Sequence, residues 1–317
     1  MNKREPKQIP DDKLPLFERA NKLERWSITW MSTIVLTTGL ALSSSHAMKA
    51  AWLEDILGLV PPMVYLIASR IAPKPSDEEH PYGHGRSMSL AFLAASAAIL
   101  VLGLYLAFES LSSLVSVDRP SLGLYSLAGH TWPIWSGWIM IAALVYSMVP
   151  PIILGRLKLE VATKIHSKTL YADAVMNKDD WLTAGAAVVG IILVGFGLWW
   201  ADAAASLVIS CNILRDGYLN IMRAARDLMD QRPTDLQEGE ALGLEKRVER
   251  ELESHPAVQR ARVRLREEGS LFSGEAFLRL EGDSVASKEL FTNLSNAAKS
   301  IDWRICEIIV AFDDSAD

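Results

Sequence analysis

Cysteine is nearly absent from this sequence: Cys211 and Cys306 are the only two in 317 residues. So small a number excludes a disulfide framework and a cysteine-rich zinc site. A surplus of positive charge is missing too. Lys and Arg number 32 against 38 Asp and Glu, and the net charge of −6 argues against a nucleic-acid partner. Neither a His-Glu-x-x-His helix nor a Gly-x-Ser-x-Gly elbow occurs, which leaves a membrane metalloenzyme as the weakest of the readings considered. The first 25 residues mix seven Lys and Arg with several acids and hold no apolar core. That pattern does not fit a cleavable signal peptide and predicts a solvated tail over residues 1–25.

The absence that organises the chain is one of charge. Trp26–Ser45, Ser87–Phe108, Thr131–Gly155 and Trp181–Trp200 contain no Asp, Glu, Lys or Arg. Each run reaches the roughly 18–20 residues that a helix needs to cross a bilayer. Two further spans are expected. One covers about Ala47–Ser69, where Glu54 and Asp55 must enter the membrane or the segment must be re-entrant. The other starts near Ala201 and runs past Arg215. Six spans over residues 26–222 result, making this an α-helical, multi-pass integral membrane protein. Lys and Arg crowd the segments before span one, between spans two and three, between spans four and five, and after span six. Basic residues stay inside, so both termini are expected in the cytoplasm, at the plasma (inner) membrane if the source is prokaryotic.

Beyond Arg232 and Pro233 the composition changes. Helical spacing runs from Leu236 to Ser254, strands are expected at Val258–Leu265 and Leu271–Leu280, and a second helix includes Leu290, Leu294 and Ile301. A last strand covers Ile305–Phe312. The order αββαβ over residues 233–317 predicts a short sheet with helices on one face.

Charged groups inside a membrane are costly and mark function. Glu54 and Asp55 lie in span two, with Gly58 one turn on and Pro61 and Pro62 interrupting the helix. Near span five, Asp173, Asn177 and Asp180 fall within about 60° of one another at 100° per residue, with Met176 at the edge of the stripe. Facing carboxylates repel unless a cation lies between them. The bland alternatives are a solvated collar at Asp173–Asp180 and an outer-surface pair at Glu54 and Asp55 capped by Lys49. In the loop after span two, Asp77, His80 and His84 have spacing suited to one metal ion. His46 and His130 are expected as polar interface residues, His166 as solvated, and His255 at a helix end.

The loop "DEEHPYGHGR", together with "YADA…DDWLT", "GLWWAD" and "ILRDGY", resembles the cation diffusion facilitator family over about Glu24 to Asp314. The resemblance implies a homodimer with a ferredoxin-like cytoplasmic domain, exporting divalent transition-metal ions in exchange for protons. It also implies a transport site of two residues from helix two and two from helix five, which fall here on Glu54, Gly58, Met176 and Asp180. Gly58 has no ligating side chain and Met176 replaces the usual His. Asp55, Asp173 and Asn177 are the natural substitutes. No cofactor is expected; the metal is substrate. Oxygen donors without imidazole favour Mn²⁺ or Fe²⁺, with Zn²⁺ next. The other reading is a membrane sensor or scaffold that transports nothing and offers its cytoplasmic domain to a partner.

Overall fold

The computed structural model describes residues 10–42, 44–117, 123–127, 130–236, 240–281 and 287–312; for 126–127, 130–131, 178–180 and 312 it describes the backbone alone. Helix α1 (Leu14–Leu40) begins with a proline in its first turn, where a missing N–H costs nothing. Its hydroxyls bond back along the helix, Thr29 to Arg25 O at 3.0 Å and Ser32 to Ile28 O at 2.7 Å. Helix α2 (His46–Leu57) and α3 (Val60–Ile71) form the second rod, and α4 (Ser87–Val115) the third. A hairpin of β1 (Leu124–Leu127) and β2 (His130–Trp135) precedes α5 (Ser136–Ile165), followed by α6 (Lys168–Gly195) and α7 (Trp200–Leu228).

Among the described residues, three segments are long and apolar enough to cross a membrane: His46–Ile71, Ser87–Val115 and Ser136–Ile165. Helices α1, α6 and α7 have 27, 28 and 29 residues, which is length enough at about 1.5 Å per residue. Their composition is more polar. Helix α4 lies along α7, α5 along α6, and α1 along α5. Met48, Ile99, Met140, Leu144, Ile191 and Ile209 form the core between them, while Val101, Leu104, Phe108 and Val115 of α4 face outward.

The start of α2 is tied to α7. Asp202, buried at the head of α7, accepts the Ser45 hydroxyl and the His46 N–H at 2.5 Å each, and the Ala47 N–H at 3.3 Å. The break in this rod falls at Gly58–Leu59, just ahead of Pro61 and Pro62, which occupy the opening turn of α3. The fourth span differs from expectation. Its helix starts at Ser136, and Thr131–Trp135 pairs as a strand against Leu124–Leu127. The Trp135 ring lies over Gly137 and Gly195, where any Cβ would strike it.

In the C-terminal region α8 (Leu244–Glu253), β3 (Val258–Glu268), β4 (Leu271–Leu280), α9 (Lys288–Ser300) and β5 (Ile305–Phe312) follow in the expected order. The sheet order is β3-β4-β5, with β3 antiparallel and β5 parallel to β4. A parallel pair needs a crossover, and α9 supplies it. Strand β3 runs three residues further than expected, leaving Gly269 and Ser270 as the turn. Leu244, Val248 and Leu252 of α8 and Leu294 and Ala298 of α9 bury against Val263, Phe272, Ala276 and Ile308.

Candidate functional site

Glu54 and Asp55 stand one turn before the α2–α3 break. Together with Met31, Ala51, Ser147, Thr183 and Ala184 they line a cavity of about 20 Å³. That is room for roughly one water or one bare ion. Asp55 Oδ2 accepts the Thr38 hydroxyl at 3.0 Å. The Met31 methyl fills the space beside Gly58, and a Cβ at Gly58 would displace it. Lys49 does not cap these acids. It pairs with Glu109 of α4 at 2.6 Å, where His46 Nδ1 approaches to 3.9 Å.

The α6 stripe divides. Thr183 reaches the cavity, and Asp180 lies three residues earlier on the same helix face. The side chains of Asp179 and Asp180 lie outside the described residues, as does that of His130. Asp173 and Asn177 are both buried, which overturns a solvated collar at Asp173. Asp173 Oδ2 pairs with Lys158, and Glu24 Oε2 stands 3.0 Å from the same ammonium. Asn177 Nδ2 donates to Asp173 O at 2.9 Å and to its Oδ1 at 3.2 Å. Lys158, one of the cations between the expected spans four and five, is fully buried in α5 between acids from α1 and α6. Met176 packs beside the membrane core and accepts Asn220 Nδ2 at 3.5 Å.

The loop of Asp77, His80 and His84 is compact. One ligand atom from each lies within 4.8 Å of the others. Asp77 Oδ1 accepts the His80 N–H at 2.6 Å and meets His80 Nδ1 at 3.1 Å, while His84 Nε2 lies 3.6 Å from Asp77 Oδ2. The imidazoles lie 4.4 Å apart, tilted by 36°. The His80 backbone N–H, then the neighbouring imidazoles, hold the Asp77 carboxyl below the usual carboxylate range. An ionised carboxylate beside two imidazoles is a donor set that a borderline divalent metal accepts.

His166 is not solvated. It ends α5 in the left-handed conformation, is buried, and puts Nε2 3.7 Å from Glu267 Oε1 with its ring edge-on to Phe272. The C-terminal region folds against this turn and excludes water from it. Glu267 also pairs with Lys168 and accepts the Thr234 N–H at 3.0 Å. Burial pushes the Glu267 carboxyl up, but His166, Lys168 and the Thr234 N–H more than offset it and hold the group below its ordinary value. Arg86, at the end of the histidine loop, pairs with Asp230. His255 accepts the Ala257 N–H at 3.2 Å. Sequence reasoning missed Thr38, Ser147, Thr183 and Lys158. Only Thr183, at i+3 from Asp180, carried a spacing signal.

Carboxylates and hydroxyls thus surround an ion-sized cavity in a helical bundle that carries a histidine loop after its second rod. Residues 26–229 match the family described as the cation efflux transmembrane domain. The chain belongs to that family; it is an integral membrane protein and not an enzyme. It is 28% identical over 200 residues to the manganese efflux system protein MneS of Bacillus subtilis (strain 168), covering 63% of this chain and 64% of that one. It is 27% identical over 236 residues to the cation-efflux pump FieF of Yersinia enterocolitica serotype O:8, covering 73% of each. The same pump of Yersinia pestis (strain Pestoides F) is 27% identical over 223 residues, 68% of this chain and 69% of the relative.

Proposed function

We propose that this protein exports divalent metal cations from the cytoplasm, with Mn²⁺ or Fe²⁺ ahead of Zn²⁺, driven by proton entry. The observation that carries the reading is the cavity of about 20 Å³ where Glu54 and Asp55 converge with Ser147 and Thr183. Its lining offers carboxylate and hydroxyl oxygens and no imidazole or thiolate. Such a set suits a hard cation better than Zn²⁺, which prefers nitrogen and sulfur. The name of the manganese relative points the same way.

In this reading Glu54, Asp55 and Asp180 are the ligands, and Met176 lies beside them where an imidazole is usual. Asp173 and Asn177 belong to the buried charge triad and hold α6 in place. Asp77, His80 and His84 bind a second ion that pins the loop. Protons arriving from outside compete for the carboxylate oxygens and release the metal. Six helical rods (α1, α2–α3, α4, α5, α6 and α7) are the spans, within residues 26–222. Residues 1–25 and the ferredoxin-like domain 233–317 are cytoplasmic, as loop charge requires, and the protein works as a homodimer.

Proteoliposomes with an imposed pH gradient test this. Accumulation of Mn²⁺ or Fe²⁺ ahead of Zn²⁺, abolished by Asp180→Ala and Glu54→Ala, is the expected result. Zn²⁺ moving well ahead of both would overturn the ion assignment. No movement of any divalent ion would favour the scaffold reading instead.

A further inference from the structure

Helices α1 and α5 leave a groove of about 800 Å³ between them on the outside of the bundle. Trp26, Trp30, Val149, Ile153 and Leu157 line it, and Trp26 is 48% and Ile153 55% exposed. At one end the Thr33 and Tyr146 hydroxyls meet at 2.9 Å and close the trough. At the other end stand Arg19 and Lys22. On α1, Arg19, Lys22, Trp26 and Trp30 fall within about 80° of one another, a single stripe running from charged to aromatic.

The charges at this end do not cancel. Arg19 approaches Glu160 of α5 at 3.5 Å, but Glu160 also takes Lys164 at 2.7 Å. Lys22 makes no ion pair with any described residue. Glu18 sits about 100° round the helix from Arg19. One carboxylate is thus shared by two cations, and a third cation at the rim of the apolar trough has no ion-pair partner among the described residues.

We propose that this groove binds one anionic phospholipid, with an acyl chain along the trough and the phosphate against Arg19 and Lys22. Basic residues at the membrane surface attract anionic headgroups, and indole rings settle at the headgroup level. A zwitterionic headgroup would bring its own ammonium against Lys22. A second copy docked on this groove about a two-fold axis along the membrane normal would set Arg19 and Lys22 against the same cations of its partner.

Native mass spectrometry of the full chain, incubated with phosphatidylglycerol or with phosphatidylcholine of the same acyl chains, tests the assignment. The native protein should retain phosphatidylglycerol preferentially. Arg19→Gln with Lys22→Gln should lose that preference, about fivefold for each cation removed. Val149→Trp with Ile153→Trp, which fills the trough, should lose both lipids. All four positions are exposed or half-buried at the outer surface, and an unchanged elution profile establishes that each variant is folded. Equal retention of the two lipids, or an undiminished preference in the glutamine variant, would overturn the proposal. So would an Ile153→Cys variant that cross-links two chains across this face in liposomes.

Discussion

Lys158 is fully buried and stands between two acids, Glu24 and Asp173, so three charges from three helices meet in one place. Removing one partner of a buried ion pair leaves the other uncompensated, at a cost of about 3–5 kcal/mol. Lys158→Met should therefore lower the apparent melting temperature in detergent sharply. Adding Glu24→Gln and Asp173→Asn should recover most of the loss, because the stranded charges go with them. An unchanged melting temperature in the single variant would show that the triad holds nothing. Glu267 gives a pH test. Its carboxyl is held below the ordinary value of 4.5, so its stabilising contribution is full above that value and is lost as pH falls through the folded-state value. Glu267→Gln should accordingly melt earlier than the native chain at pH 7, and the gap should close under acid. A gap that stays constant down to strongly acidic pH would assign the effect to shape alone. These two residues also mark what a sequence conceals. Helical spacing places Asp173, Asn177 and Asp180 on one stripe, but it cannot say what the stripe meets. Lys158 reads as one of several loop cations until α5 is seen to continue to Ile165 around it.

At the scale of elements, much was legible. The αββαβ order and the bounds of β4 follow from alternation and from turn residues, and both describe local chemistry. The hairpin of β1 and β2 was not legible. Thr131–Gly155 lacks charge throughout, and absence of charge has no period that separates strand from helix. The anchoring of α2 was hidden for another reason: Asp202 lies 157 residues from Ser45 in the chain. Asp202→Ala leaves the Ser45 hydroxyl and the His46 and Ala47 N–H groups without their shared acceptor. It should cost about 1–3 kcal/mol and loosen the N-terminal end of α2, read as faster amide exchange at residues 46–49 than in the native chain. Exchange that is unchanged there would mean that Ser45 alone caps the helix. On the proposed reading, the histidine loop at the other end of the same rod serves geometry. His80→Ala with His84→Ala should slow transport without altering the order of metal preference. A changed order would make this loop the selector.

For the whole molecule, the C-terminal region buries Val263, Phe272, Ala276, Leu278 and Ile308 against two helices with no histidine among its strands. Its folding should need no ion. Residues 233–317, expressed alone, should give the same circular dichroism with and without chelator, and a collapse of the signal on chelation would contradict this. Pro150 and Pro151 of α5 carry no N–H, so the carbonyls of Tyr146 and Ser147 lose their helical partners. Across the small cavity that Ser147 shares with Glu54, the second rod breaks at Gly58. Two of the rods walling the cavity are therefore softest within about one turn of it and stiff elsewhere. In the proposed transport cycle, bending energy spent on opening collects at these two joints, so the walls tilt without any helix unwinding along its length. Restoring the ladder with Pro150→Ala and Pro151→Ala should slow turnover and leave the affinity for metal almost unchanged, a split between rate and binding that equilibrium titration beside vesicle flux would resolve.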